Sequence, residues 1–128
     1  IFNQMDIEQE IQDKGLTAPR VTPVDIEVEI VVEMYFTAAH GWYGAITLGE
    51  YEGRENSLYR STDLAPLDLL TFCVLVLKNG FTVTGESACA SPENFDAEIG
   101  RKIARQNAVA KIWPLLGFRL RDRLAGGE

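Results

Sequence analysis

Between Leu70 and Glu86, two runs rich in β-branched and aromatic residues flank Asn79-Gly80. Asn-Gly is the strongest short hairpin signal, because a two-residue type I′ turn needs positive φ at both central positions. Such a turn fixes the register, pairing Lys78 with Phe81, Val76 with Val83, Val74 with Gly85 and Phe72 with Ser87 on one face. Leu77/Thr82, Leu75/Thr84 and Cys73/Glu86 fall on the other. The first face, with Phe72, Val74 and Val76, is the predicted core surface.

Helical periodicity brackets this hairpin. Thr22-Pro23-Val24-Asp25 has an N-cap, a proline at the first helical position and a carboxylate near the free amides. Ile26, Ile30, Met34 and Ala38 follow at helical spacing, and Gly41 supplies a stop. Ser91-Pro92-Glu93 repeats the start signal, and Phe95, Ile99, Ile103 and Ala110 form a stripe that runs to Trp113, before Pro114 ends the helix. Gly100, Ala104 and Ala108, spaced four apart beside that stripe, permit close approach to a sheet or helix. Asp6 to Lys14, closed by Gly15, reads as a short polar helix inside a flexible segment, 1–20. Residues 42–68 read as a variable loop or insertion, with Ala45 to Leu48 as a short strand. Phe118 to Leu124 reads as an edge strand or ragged helix. The expected fold is a single α+β domain over residues 1–128, a central antiparallel β-hairpin of two or three strands covered by two main helices. Cys73, Leu75 and Leu77 are too apolar to face water, so a homodimer is expected through that face or through the Gly100/Ala104/Ala108 ridge.

At 128 residues and 46% hydrophobic composition, a core can form without disulfide or metal staples. No apolar run reaches membrane-spanning length, so no membrane role is expected. The chain begins at Ile1 and not Met, which leaves a removed leader open. Two cysteines favour a reducing compartment, and the predicted register disfavours a bridge between Cys73 and Cys89. Net charge is −7, with residues 1–66 carrying −8 and the rest +1. An acidic chain of this kind makes nucleic acid an unlikely partner.

Candidate chemistry is sparse. His40, the lone histidine, is placed by the predicted helix at a carboxyl terminus, where it complements the dipole. No nucleophile elbow, triad order, phosphate loop or metal spacing accompanies it, so neither a metal site nor a cofactor is expected, and no catalytic role is assigned. An enzyme would require Glu86 and His40 to converge. Glu86 reads as an ion-pair partner of Lys102 or Arg105, or as a polar binding site. Asn107, on the apolar side of its helix, reads as a clamp on hairpin backbone, a register-fixing residue or a ligand contact. Lys102 and Arg105, with Glu98 placed to pair with Lys102, join Arg119, Arg121 and Arg123 in the one concentrated positive surface. That surface is a candidate for an anionic, nucleotide-like ligand or for a partner. Trp42, Tyr43, Tyr51 and Tyr59 form a candidate partner-binding loop.

Several strings are familiar. LKNGFTVTGESAC, ending at Cys89, is followed by Ser91-Pro92-Glu93-Asn94-Phe95, Gly100, Ala104, Asn107-Ala108 and Trp113. With IQDKGLTAPRVTPVDIE and Tyr35-Phe36-Thr37-Ala38-Ala39, it resembles a family of small tailed-phage and prophage proteins named after gene product 49 and gene product 66 of two phages. The resemblance covers most of the chain outside 42–68. It implies a phage-encoded protein in the cytoplasm of an infected or lysogenic bacterial host, with no catalytic residues to transfer. The function expected from residues and resemblance together is a non-enzymatic accessory protein that binds a host protein, with capture of an anionic ligand as the alternative.

Overall fold

A computed structural model describes residues 4–48 and 60–126. Helix α1 (Gln4–Asp13) leads through a linker to α2 (Pro23–Glu29), strand β1 (Ile30–Thr37) and α3 (Ala38–Thr47). The one-turn helix α4 (Ser61–Leu64) and a 3-10 turn (Ala65–Leu69) precede β2 (Leu70–Leu77) and β3 (Thr82–Ala88). A short 3-10 turn (Pro92–Asn94) then enters the long helix α5 (Ala97–Leu124). The strands form one antiparallel sheet in the order β1-β2-β3, and α5 lies across one face of it. The architecture is therefore α+β with a three-stranded sheet.

The hairpin stands where expected but turns differently. Leu77 N–H donates to Phe81 O at 2.8 Å and Gly80 N–H to Leu77 O at 2.8 Å, so three residues, Lys78 to Gly80, make the loop. Only Gly80 needs positive φ, at 87°, while the Asn79 side chain accepts from Phe81 N–H at 2.9 Å. This is a three-residue hairpin with glycine in the left-handed position. The extra residue shifts the register by one, giving Phe72 opposite Glu86, Cys73 opposite Gly85 and Leu75 opposite Val83. In β2 the sides consequently exchange: Cys73, Leu75 and Leu77 are buried, whereas Phe72, Val74 and Val76 line the opposite face, half-buried. The expected core face of β2 is thus corrected, and its cause is physical, since the buried set excludes the charged Lys78. Val83 and Gly85 still point inward.

The helix expected over Pro23 to Ala38 is three elements. The capping box at its start is real: Thr22 Oγ1 accepts from Asp25 N–H at 3.2 Å, and an Asp25 carboxylate oxygen accepts from Thr22 N–H at 2.9 Å. The β-branched run Ile30-Val31-Val32 nevertheless favours an extended chain, and pairing with β2 outweighs the i, i+4 pattern. Thr37 then caps a new helix, so His40 lies at the amino end of α3 and not at a carboxyl terminus. Its Nδ1 accepts from Thr37 N–H at 3.0 Å while Thr37 Oγ1 accepts from His40 N–H at 3.2 Å. Residues 42–47, expected in the loop, continue that helix.

Helix α5 also departs from expectation. It is capped by Asp96, whose carboxylate accepts from Ile99 N–H at 3.0 Å, and passes through Pro114 to Leu124. Proline removes one helical hydrogen bond, but the turns beyond it bury Leu116. The buried stripe is Gly100, Ala104, Ala108, Val109, Ile112 and Leu116, one position away from the predicted stripe, which leaves Ile99 and Ile103 exposed. The small-residue ridge packs inside the molecule, as do Cys73, Leu75 and Leu77, so neither surface is free for the expected homodimer. Ile26, Leu75, Leu77, Val83, Ile112 and Leu116 join the ridge in the core.

Candidate functional site

Two seams fix α5 on the sheet and decide which polar groups remain free. Over β3, a Cβ built on Gly85 would lie 2.1 Å from Ala104 O and 2.3 Å from Ala108 N. Glycine is required there because the helix backbone occupies the space of any side chain. Beside this contact the Asn107 amide donates to Glu86 O at 2.8 Å, the backbone clamp anticipated among its readings. The Glu86 carboxylate projects on the far face, exposed, with no cation partner among the described residues, so the expected pair with Lys102 or Arg105 is absent.

Over α2 and β1 the seam is ionic. Arg105 donates to Glu27 at 2.8 Å and to Glu33 at 3.0 Å, and the Tyr35 hydroxyl donates to Glu33 at 2.5 Å. Two carboxylates around one guanidinium hold Arg105 firmly charged, Glu27 contributing most. The hydroxyl of Tyr35 and then Arg105 draw Glu33 below the ordinary carboxylate range. Burial, followed by the hydrogen bond to Glu33, makes Tyr35 harder to ionise. Burial likewise raises the pKa of the Cys73 thiol, which lies opposite Tyr35 in the sheet. Further along, Arg119 donates to both oxygens of the buried Glu29, at 2.9 and 3.3 Å, and holds that carboxylate below its usual range. At the far end Arg20 grips Glu8 through two 2.7 Å bonds, bringing Glu8 down to about 2.

The five candidate cations therefore do not form one open site. Arg105 is engaged by the exposed carboxylates of Glu27 and Glu33 and Arg119 by the buried Glu29, and Lys102 pairs with Glu98 at 3.4 Å in full solvent, as the spacing suggested. Arg121 and Arg123 are exposed and form no ion pair among the described residues. Trp42 and Tyr43 of the aromatic group lie in α3 and line a 190 Å³ cleft with Leu64 and Leu67; Tyr51 and Tyr59 lie outside the described residues. His40 uses Nδ1 in its cap, and no group of three or more His, Cys, Asp or Glu among the described residues is placed to hold a metal. Both thiols are free, Cys73 buried and Cys89 half-buried. No helix among the described residues is long and apolar enough to cross a membrane.

One feature escaped the sequence reading. Phe81, just past the turn, and Phe118, in the last turns of α5, are 55% and 72% exposed and flank a 230 Å³ groove floored by Leu77 and Leu115 and edged by Arg119 and Asp122. The signal lay in the aromatic adjoining Asn79-Gly80, but its meaning depended on α5 reaching the hairpin tip.

No curated protein and no solved structure matches this chain. The family model described as Phage protein (N4 Gp49/phage Sf6 gene 66) matches residues 21–124, spanning β1, the hairpin and all of α5, so the chain belongs to that phage protein family.

Proposed function

We propose that this protein is a non-enzymatic phage accessory protein that acts in the cytoplasm of the infected or lysogenic host by binding a host protein. The observation that supports this reading is the Phe81/Phe118 groove. Aromatic anchors beside a small apolar cavity with a charged rim are what protein recognition sites use, and exposed aromatics at a hairpin tip contribute nothing to the core. The engaged cations point the same way, since a surface already neutralised by its own carboxylates attracts anions weakly. The test is affinity capture from host lysate with wild-type protein and with a Phe81→Ala/Phe118→Ala variant. The reading expects a specific host protein bound by the wild type and lost by the variant at unchanged melting temperature. Equal capture by both would refute it.

A second reading, capture of a nucleotide-like anion, draws on Lys78 and Arg123. Neither forms an ion pair among the described residues, and both line a 240 Å³ cleft beside Arg20 and Arg119. Thermal-shift screening against nucleotides separates the two, because a ligand at about 100 times its Kd stabilises by about 2.7 kcal/mol.

A further inference from the structure

The hydrogen bonds of the sheet leave the outer edge of β1 open. Leu77 donates to Phe81 O and Cys89 to Leu69 O, so the odd-numbered residues of β2 bond toward β3. Lys78 donates to Glu29 O at 3.0 Å, and by the alternation of antiparallel ladders the even-numbered residues bond toward β1. Because Val76, Val74 and Phe72 stand opposite Val32, Met34 and Phe36, the outward backbone groups of β1 belong to Glu33, Tyr35 and Thr37. The Thr37 amide is already taken by His40 Nδ1. The amides and carbonyls of Glu33 and Tyr35 have no hydrogen-bond partner among the described residues.

The two edges are treated differently. On β3 the same alternation turns Thr82, Thr84 and Glu86 outward; Asn107 occupies the Glu86 carbonyl, and the residues along that edge are polar. Edge strands are ordinarily protected by proline, lysine or brevity. Strand β1 has eight residues and neither proline nor lysine. Val31, Val32 and Met34 on it are 56%, 38% and 47% exposed. Its one charged residue, Glu33, is held in advance by Arg105 and Tyr35.

We infer that β1 pairs antiparallel with β1 of a second copy about a two-fold axis at Met34, joining two sheets into one of six strands. Self-complementarity selects this register. Glu33 stands opposite the partner's Tyr35, and the reverse, so every free amide and carbonyl of these two residues is paired. On the face away from α5, Met34 meets the partner's Met34 and Val32 meets the partner's Phe36, continuing the half-covered apolar surface of Phe72, Val74 and Val76. Centring the axis on Glu33 would set two carboxylates directly opposite, which destabilises a sheet. Centring it on Tyr35 would call on the Thr37 amide that His40 already occupies.

Sedimentation equilibrium of the full chain gives the first test, and site-directed cross-linking the second. In a Cys89→Ser background, Met34→Cys places two thiols in a non-hydrogen-bonded pair with Cα atoms ~4.5 Å apart, within disulfide reach. Val32→Cys in the same background places them four residues out of register, ~14 Å apart. The expected result is a concentration-dependent wild-type dimer, covalent dimer on mild oxidation from Met34→Cys but not from Val32→Cys, and a shift toward monomer for a Met34→Lys variant that remains folded. A wild type that is monomeric at every concentration, or equal cross-linking at the two positions, would overturn the inference. A monomeric wild type overturns the inference even if a variant fails to fold.

Discussion

Along β3, α5 meets the sheet backbone to backbone; along α2 and β1 it is held by charge. Among the described residues the β3 seam has no ion pairs, and its contact is set by missing side chains, Gly85 against Ala104 and Ala108. The other seam has three guanidinium–carboxylate contacts, Arg105 with Glu27 and Glu33 and Arg119 with Glu29. The first seam should respond to volume and ignore pH, because close packing tolerates no added atoms. The second should respond to pH and to removal of one partner, because a carboxylate such as Glu29 is stable in a buried place only while its cation stays.

The sharpest way to break the contrast is Gly85→Val, whose side chain has only helix backbone to displace. A loss of about 4 kcal/mol or more is expected in chemical denaturation, and a near-neutral result would mean that α5 does not lie there. Leu75→Ala should lose about 3 kcal/mol as a core cavity, well above Phe72→Ala, whose ring lies on the half-covered face against Phe36 at 5.7 Å between centroids. Arg119→Ala strands the Glu29 carboxylate, and with the guanidinium partly exposed the expected loss moderates to about 2 kcal/mol. Arg105→Ala should lose about 1 kcal/mol, more than a solvated helix face would. Lys102→Ala should stay within about 0.5 kcal/mol.

Acid sharpens the same comparison. Glu29 and Glu33 have pKa values depressed on folding, so their contribution is present above the unfolded carboxylate pKa of about 4.3 and is lost as pH falls through the lower folded values. Wild-type stability should therefore decline below about pH 4, and Arg119→Ala should decline less steeply over the same interval. Denaturation midpoints measured across that range check both slopes.

Legibility in the sequence follows the same division. The hairpin, the Thr22/Asp25 cap, the Gly100/Ala104/Ala108 ridge and the Glu98/Lys102 pair were readable because each is a local pattern. The Asn107 clamp was anticipated on a buried apolar face, but Asn107 is exposed beside the small-residue ridge and reaches the Glu86 carbonyl from there. The ionic seam was hidden because its partners lie 72, 78 and 90 residues apart along the chain, a separation no spacing rule bridges. Strand β1 was hidden because Ile26, Ile30, Met34 and Ala38 satisfy a helix as well as the sequence Ile30-Val31-Val32 satisfies a strand, and only the edge offered by β2 separates them. The register of the hairpin turned on one loop residue, enough to exchange the faces of β2 while leaving those of β3 unchanged. Phe81 and Phe118 could be read together only once α5 was known to pass Pro114 and reach the turn.

The orientation of β2 underlies both seams and both candidate surfaces, and thiol accessibility measures it directly. In a Cys89→Ser background, Cys73 should be inert to a thiol reagent until the protein unfolds, whereas Cys89→Ser/Cys73→Ser/Val74→Cys should react in the native state. A native Cys73 that labels readily, with a protected thiol at position 74, would contradict the account.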